Sequence, residues 1–188
     1  MYRNEKIASI FRSIVSSFNP TVAHLHSIQK VGSTILSIIK EVSDASVFLT
    51  IHDCWWICER QFMINNTGKY CFQKKIDPMV CMYCVDDFDR YEKRQRYITD
   101  QLTNVDYFLF PSEFHRQLHI SNGFDESKCM TNKNGIRLPK PGYKKVSSDV
   151  VRFGFTGGPG KTKGYDLILK AFEEMELNNY ELVVVDAA

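Results

Sequence analysis

Nothing in this 188-residue chain reaches the roughly 18 consecutive apolar residues of a membrane span. Its start, MYRNEKIASIFRSIVSSF, carries charge but no continuous apolar stretch and no small-residue cleavage site, so a secretory signal is not expected there. An excess of one charge is missing too. The 24 basic and 22 acidic residues leave a formal net charge of +2, which gives no reason to expect nucleic acid as a partner. Internal repeats and low-complexity tracts are absent. What remains is an ordinary soluble composition, 44% hydrophobic and 24% charged, with length for one or two modest domains. The cytoplasm is the default compartment, and its reducing conditions bear on the six cysteines.

The pattern along the chain is one of strands alternating with helices. Ile7, Ile10, Phe11, Ile14, Val15 and Phe18 recur at helical spacing, ended by Asn19-Pro20. TVAHLHS reads as a short strand and VGSTILSIIKEV as a helix. SVFLTIHD is a second strand, β-branched and apolar with little alternation, as in strands buried on both faces of a parallel sheet. A cysteine-bearing excursion over residues 54–84 follows, then the charged helix DDFDRYEKRQRYITDQL, the strand VDYFLF and the helix of SEFHRQLHI. This alternation predicts a doubly wound α/β domain over residues 1–136. Residues 137–150 have a linker's composition, and residues 151–188 begin a second domain with a strand, a helix and the strand YELVVVD. His24 and His26 alternate on their strand and are expected to face opposite sides in structural roles.

FGFTGGPGKTKGYDLILKAF has the look of a phosphate-binding loop. A nucleotide-hydrolase loop needs Gly, four residues, then Gly-Lys-Ser/Thr. Gly160-Lys161-Thr162 supplies the second half, but Phe155 stands where the first glycine belongs; LVVVD ending at Asp186 keeps that reading open. The other frame puts the weight on Gly157-Gly158 and Lys163-Gly164, where glycines let backbone approach a diphosphate and a lysine precedes a helix N-terminus. The bland alternative is a turn with solvated lysines.

Cys58, Cys71, Cys81 and Cys84 are spaced C-x12-C-x9-C-x2-C. The pair CMYC suits a tetrahedral zinc, and four thiolates would leave no open position, so such a metal would be structural. Free buried thiols, or two disulfides in an exported protein, remain alternatives. NNTGKY reads as the turn of the excursion, while Cys54 and Cys129 read as ordinary apolar-site cysteines.

Several segments taken together resemble family 4 of the GT-B glycosyltransferases. FTGGPGKTKGYDLILKAFEEM is similar to the opening of that family's donor-binding domain. FLFPSEFHRQLHISNGFDESKCMTNKNGI is similar to its "PS-x-F … NGI" stretch, and PTVAHLHS … VFLTIHDCWWIC to its "VxHxH … TxHDxW" passage. The segments occur in family order over nearly the whole chain. The resemblance implies a GT-B fold of two Rossmann-like domains and a retaining transferase moving a sugar from a nucleotide-activated donor to a glycan or lipid-linked acceptor, with no cofactor for catalysis and no magnesium requirement. It implies that His52 reaches the donor sugar, that Lys163 neutralises the diphosphate, and that Gly157 and Gly158 line the same turn. Many relatives carry arginine where Gly158 stands, and Lys161 could substitute. Trp55 and Trp56 could stack on sugar rings or pack under the loop as core.

Relatives begin with a further Gly-rich strand and continue past the VVVD strand to a paired-glutamate motif, so the chain is expected to be the middle of such an enzyme, inactive alone. A peripheral membrane contact at the inner face is conceivable for lipid-linked acceptors through the first helix, with Arg3, Lys6 and Arg12; the simpler expectation is that this helix packs on the sheet. The competing readings are a magnesium-dependent nucleotide-binding switch using Lys161 and Thr162, and a non-catalytic zinc-bearing interaction module.

Overall fold

The computed structural model describes residues 2, 4–138, 142, 147–160, 163–176 and 178–185. The chain divides into two compact units, Met1–Ile136 and Arg137–Ala188.

The first unit runs α1 (Glu5–Phe18), β1 (Val22–His26), α2 (Ile35–Val42), β2 (Ser46–Thr50), α3 (Pro78–Cys81), α4 (Phe88–Leu102), β3 (Tyr107–Phe110), α5 (Glu113–Ile120) and β4 (Cys129–Thr131). Local chemistry sets the helix ends. The Asn4 side chain accepts from the Ile7 N–H to start α1, and Asn19 ends it in the left-handed conformation. Asp87 caps α4 and Ser112 caps α5 in the same way. Along α1, Ala8, Phe11 and Val15 turn inward, whereas Ile10, Ile14 and Phe18 stay exposed. The expected inward packing therefore accounts for one stripe of this helix only.

The four strands are all parallel and lie in the order β1-β2-β3-β4. Val47, Leu49 and Ile51 have no exposed surface and pack with Leu36, Ile39, Ile98 and Phe110 in the core. Thr50 is buried and Phe48 half-buried on the other side of β2, so its unbroken apolar run is covered as such runs usually are. The parallel sheet fits the expected Rossmann-like α/β class, and its crossovers step the same way from β1 to β4, with no reversal of order among the described strands. Val22, Tyr107 and Met130 stay exposed on the face of Phe48 and Thr50.

Residues 51–87 form a knob between β2 and α4. Its Asn65–Lys69 turn is closed by the Asn65 carboxamide oxygen, which accepts from the N–H groups of Thr67 and Lys69, and flanked by one antiparallel bridge, Ile64 to Tyr70. Trp55 and Trp56 are buried in the core beneath it. Of the two alternatives for these rings the structure has the core-packed one, and Trp56 also lines a cavity of about 550 Å³. The Arg94 guanidinium, itself buried, sits 4.7 Å from the centre of the Trp55 ring and donates to the Trp55 carbonyl, tying α4 to the knob.

The second unit is a βαβ arrangement of β5 (Val151–Thr156), α6 (Tyr165–Glu173) and β6 (Tyr180–Val185), with β5 and β6 parallel over their full length. Phe172 of α6 packs on Phe153 and Tyr180, with ring centres 5.1 and 5.2 Å away. None of its described residues is buried, as expected when one helix covers two strands. Of the linker composition over 137–150, only residues 137, 138, 142 and 147–150 are described.

No helix is long and apolar enough to cross a membrane among the described residues.

Candidate functional site

Parallel strands deliver their C-terminal ends to one edge of a sheet, where loops form ligand sites in α/β folds. In the first unit this edge carries a histidine cluster. β1 and β2 pair His24 with Phe48 and His26 with Thr50. Side chains two apart share a face, so His24 and His26 point the same way, with ring centres 4.2 Å apart. That corrects the expectation of opposite faces: the period of a strand is two, and positions 24 and 26 are one period apart. Nε2 of His24 lies 2.8 Å from the Thr50 hydroxyl. His52 follows two residues after Thr50 on the same face. Its Nε2 lies 3.0 Å from Nδ1 of His26, and the two rings stack at 30°. Burial, then the neighbouring His24 and His52, hold His26 below its ordinary pKa, which favours a neutral imidazole. His24, His26 and His52 are all solvent-exposed.

Behind His52 the side chain of Asp53 turns inward. Its Oδ2 accepts from the amides of Gln29 (2.9 Å) and Gln61 (2.7 Å), and its Oδ1 from the Trp55 N–H (2.9 Å). These bonds pin the start of the knob to the turn after β1, so the backbone carrying His52 is fixed from both sides. Below lies Cys54, with Sγ 3.7 Å from Nε2 of His115. Burial, with smaller contributions from Cys58, Asp53 and Cys71, pushes the Cys54 thiol up to about 12. His115 is held below its ordinary value, again mainly by burial. A protonated thiol beside a neutral imidazole is a packed pair and not an activated nucleophile.

Cys58, Cys71, Cys81 and Cys84 all line one cavity of about 670 Å³ in the knob. Yet among the described residues no three His, Cys, Asp or Glu side chains converge to hold a metal ion. The structural zinc expected from spacing is therefore not supported. Cys81 is instead engaged by the side chains of Tyr91 and Gln73, and burial raises both Cys58 and Cys81 towards the neutral thiol. All six cysteines are free. Cys54 packs against the core and Cys129 is buried, in keeping with apolar sites.

In the second unit the chain leaves β5 through Gly157 and Gly158 and enters α6 through Lys163 and Gly164. A Cβ on Gly157 would stand 3.3 Å from the Lys163 Cβ, so glycine there lets the lysine stem lie against the strand end. Gly158 and Gly164 hold left-handed φ values of 67° and 74°, which glycine adopts without strain. The Lys163 N–H donates to the Gly160 carbonyl (3.0 Å), closing the loop, and its side chain is exposed just before the N-terminus of α6. Lys161, Thr162 and Asp186, on which the nucleotide-hydrolase reading rests, lie outside the described residues, as does Arg3.

His26, Asp53, Gln29 and Gln61 belong to this site although the sequence reading gave none of them a role in it. Period-two spacing would have found the first: in-register parallel strands carry residues 24, 26, 50 and 52 on one face. Asp53 left a signal only in standing next to His52. No known protein-family model matches the chain, and no curated protein matches it.

Proposed function

We propose that the chain carries the sugar-transfer machinery of a retaining GT-B glycosyltransferase. The observation that supports this reading most is the placement of His52. It is exposed at the C-terminal edge of parallel strands, held by His26 and backed by the Asp53 network. An imidazole so held can hydrogen-bond a hydroxyl of a donor sugar. The loop of Gly157, Gly158 and Lys163 supplies the complementary chemistry. When the glycosidic bond to a nucleoside diphosphate breaks, negative charge grows on the leaving phosphate. A lysine ammonium and the positive end of α6 stabilise it. No metal enters this account, since the cation is the lysine. The partners are a nucleotide-activated sugar and a glycan or lipid-linked acceptor.

Calorimetric titration with a panel of nucleoside diphosphate sugars, with and without magnesium, tests the reading. Magnesium-independent binding is expected, weakened about tenfold or more in Lys163→Ala by loss of a charge-assisted contact. Binding of nucleoside triphosphates only with magnesium would overturn it in favour of a nucleotide switch.

A further inference from the structure

Cys81 and Cys84 share one turn of the knob. The Cys84 N–H donates to the Cys81 carbonyl at 2.8 Å, directly after α3, and the Val85 N–H donates to the same oxygen at 3.1 Å. Side chains three apart in such a turn lie on the same side. Its ends stand less than about 7 Å apart, which is within the span of a disulfide. Both cysteines line the 670 Å³ cavity. The turn is also held from outside, because Asn66 donates to the Tyr83 carbonyl and Arg60 to the Cys84 carbonyl.

The two thiols differ in access. Cys81 is buried and Cys84 half-buried, while Met82 and Tyr83 between them are exposed. A reagent in solvent therefore meets Cys84 first. Cys58 and Cys71 line the same cavity but belong to separate turns. The Cys58 carbonyl accepts from the Gln61 N–H, and the Cys71 N–H donates to the Met63 carbonyl. Their sulfurs are brought near by the course of the knob, whereas those of Cys81 and Cys84 are brought near by one backbone turn.

We propose that Cys81 and Cys84 are a redox-active dithiol, closed to a disulfide by exchange with a low-molecular-weight disulfide. The Cys84 thiolate attacks one sulfur of the reagent. The reagent's S–S bond breaks, one half leaves as a thiolate, and a mixed disulfide forms on Cys84. Cys81 then gives up its proton and attacks the Cys84 sulfur, expelling the second half as a thiolate. Two protein thiols are oxidised, the reagent is reduced to two thiols, and the two protons pass to them through solvent. Burial raises Cys81 above the ordinary thiol range. A thiol that ionises reluctantly is a poor leaving group, so the closed bond resists reduction. Closure also takes the Cys81 thiol from its contacts with Gln73 and with Tyr91 of α4, and so reaches beyond the knob. The proposal rests on these sulfurs alone and is independent of the sugar-transfer reading.

Thiol counting across a glutathione redox series tests it. The purified chain is reduced, desalted, equilibrated with mixtures of oxidised and reduced glutathione, then alkylated and mapped by peptide mass spectrometry. Two of the six thiols should disappear together into one Cys81–Cys84 bond, and the other four should remain open to alkylation once the chain is unfolded. Cys84→Ser should lose no thiol, and Cys81→Ser should stop at a glutathione adduct on Cys84. The turn holds the pair ready, so closure in the folded chain should need a mixture at least about tenfold less oxidising than closure in urea. Six free thiols in the most oxidising mixture would overturn the proposal, as would a bond to Cys58 or Cys71. Equal midpoints for the folded and the urea-unfolded chain would do the same, since the fold would then contribute nothing to the pairing.

Discussion

His26 and His52 face each other ring to ring, Nδ1 to Nε2, at 3.0 Å. One nitrogen must donate and the other accept, so the pair holds together with one shared proton and is broken by a second on both contacting atoms. His26 is accordingly held below its ordinary value of 6.5. Proton NMR titration should show His26 shifting upward in His52→Ala, though not fully, because burial is the larger cause. An identical midpoint in both proteins would mean that the pair does not form in solution.

Asp53 joins the site to the knob. Asp53→Ala leaves the amides of Gln29 and Gln61 and the Trp55 N–H without their acceptor, at a cost of about 1–3 kcal/mol in urea unfolding. Limited proteolysis should then cut sooner within residues 54–84, because the bonds holding the knob's start are gone. Asp53→Asn keeps one acceptor oxygen and should fall between the two. Equal stability and equal cleavage would remove Asp53 from this role.

The knob's sulfurs give a separate check. With the four thiols of Cys58, Cys71, Cys81 and Cys84 not converging on an ion, the unfolded chain should titrate six thiols and elemental analysis of the folded chain should find no stoichiometric zinc. One zinc per chain, with four thiols protected from alkylation, would show that metal redraws the course of residues 58–84.

Much of the fold was legible in local pattern, and the misses share a cause. The apolar run of β2 and the 3.6-residue period of α1 mark their elements because each reports on burial of the segment itself. Strand order is set by which neighbour each crossover reaches, and no single segment encodes that, so the one-directional sheet stayed hidden. The arrangement of the cysteines was out of reach for a related reason. Their convergence depends on how the knob turns, and it turns at Gln61, Met63 and Phe72, which take left-handed φ values of 64°, 56° and 56° without the glycine that usually announces such a turn. Trp55 and Trp56 follow the site motif directly, yet their size and the Arg94 contact place them in the core. The histidine edge was within reach, since period-two spacing on in-register strands suffices to align His26 with His52.

His119 gives the chain an acid-sensitive core. It has no exposed surface, lies among Phe110, Phe124 and His115, and donates from Nδ1 to the His115 carbonyl (2.9 Å), while Nε2 makes no hydrogen bond among the described residues. Burial, then His115, lowers its pKa from 6.5 to about 3. Between those values the unfolded chain binds a proton that the folded chain refuses. This contribution to stability is therefore complete above pH 6.5 and is lost as pH falls towards 3, with a slope approaching about 1.4 kcal/mol per pH unit. His119→Phe removes both the titrating group and the orphaned nitrogen in a site already lined by rings. Urea unfolding at a series of pH values should show wild type losing more stability than this variant on acidification, the gap opening below pH 6.5. Parallel losses in the two proteins would mean that His119 is not held neutral in the folded chain.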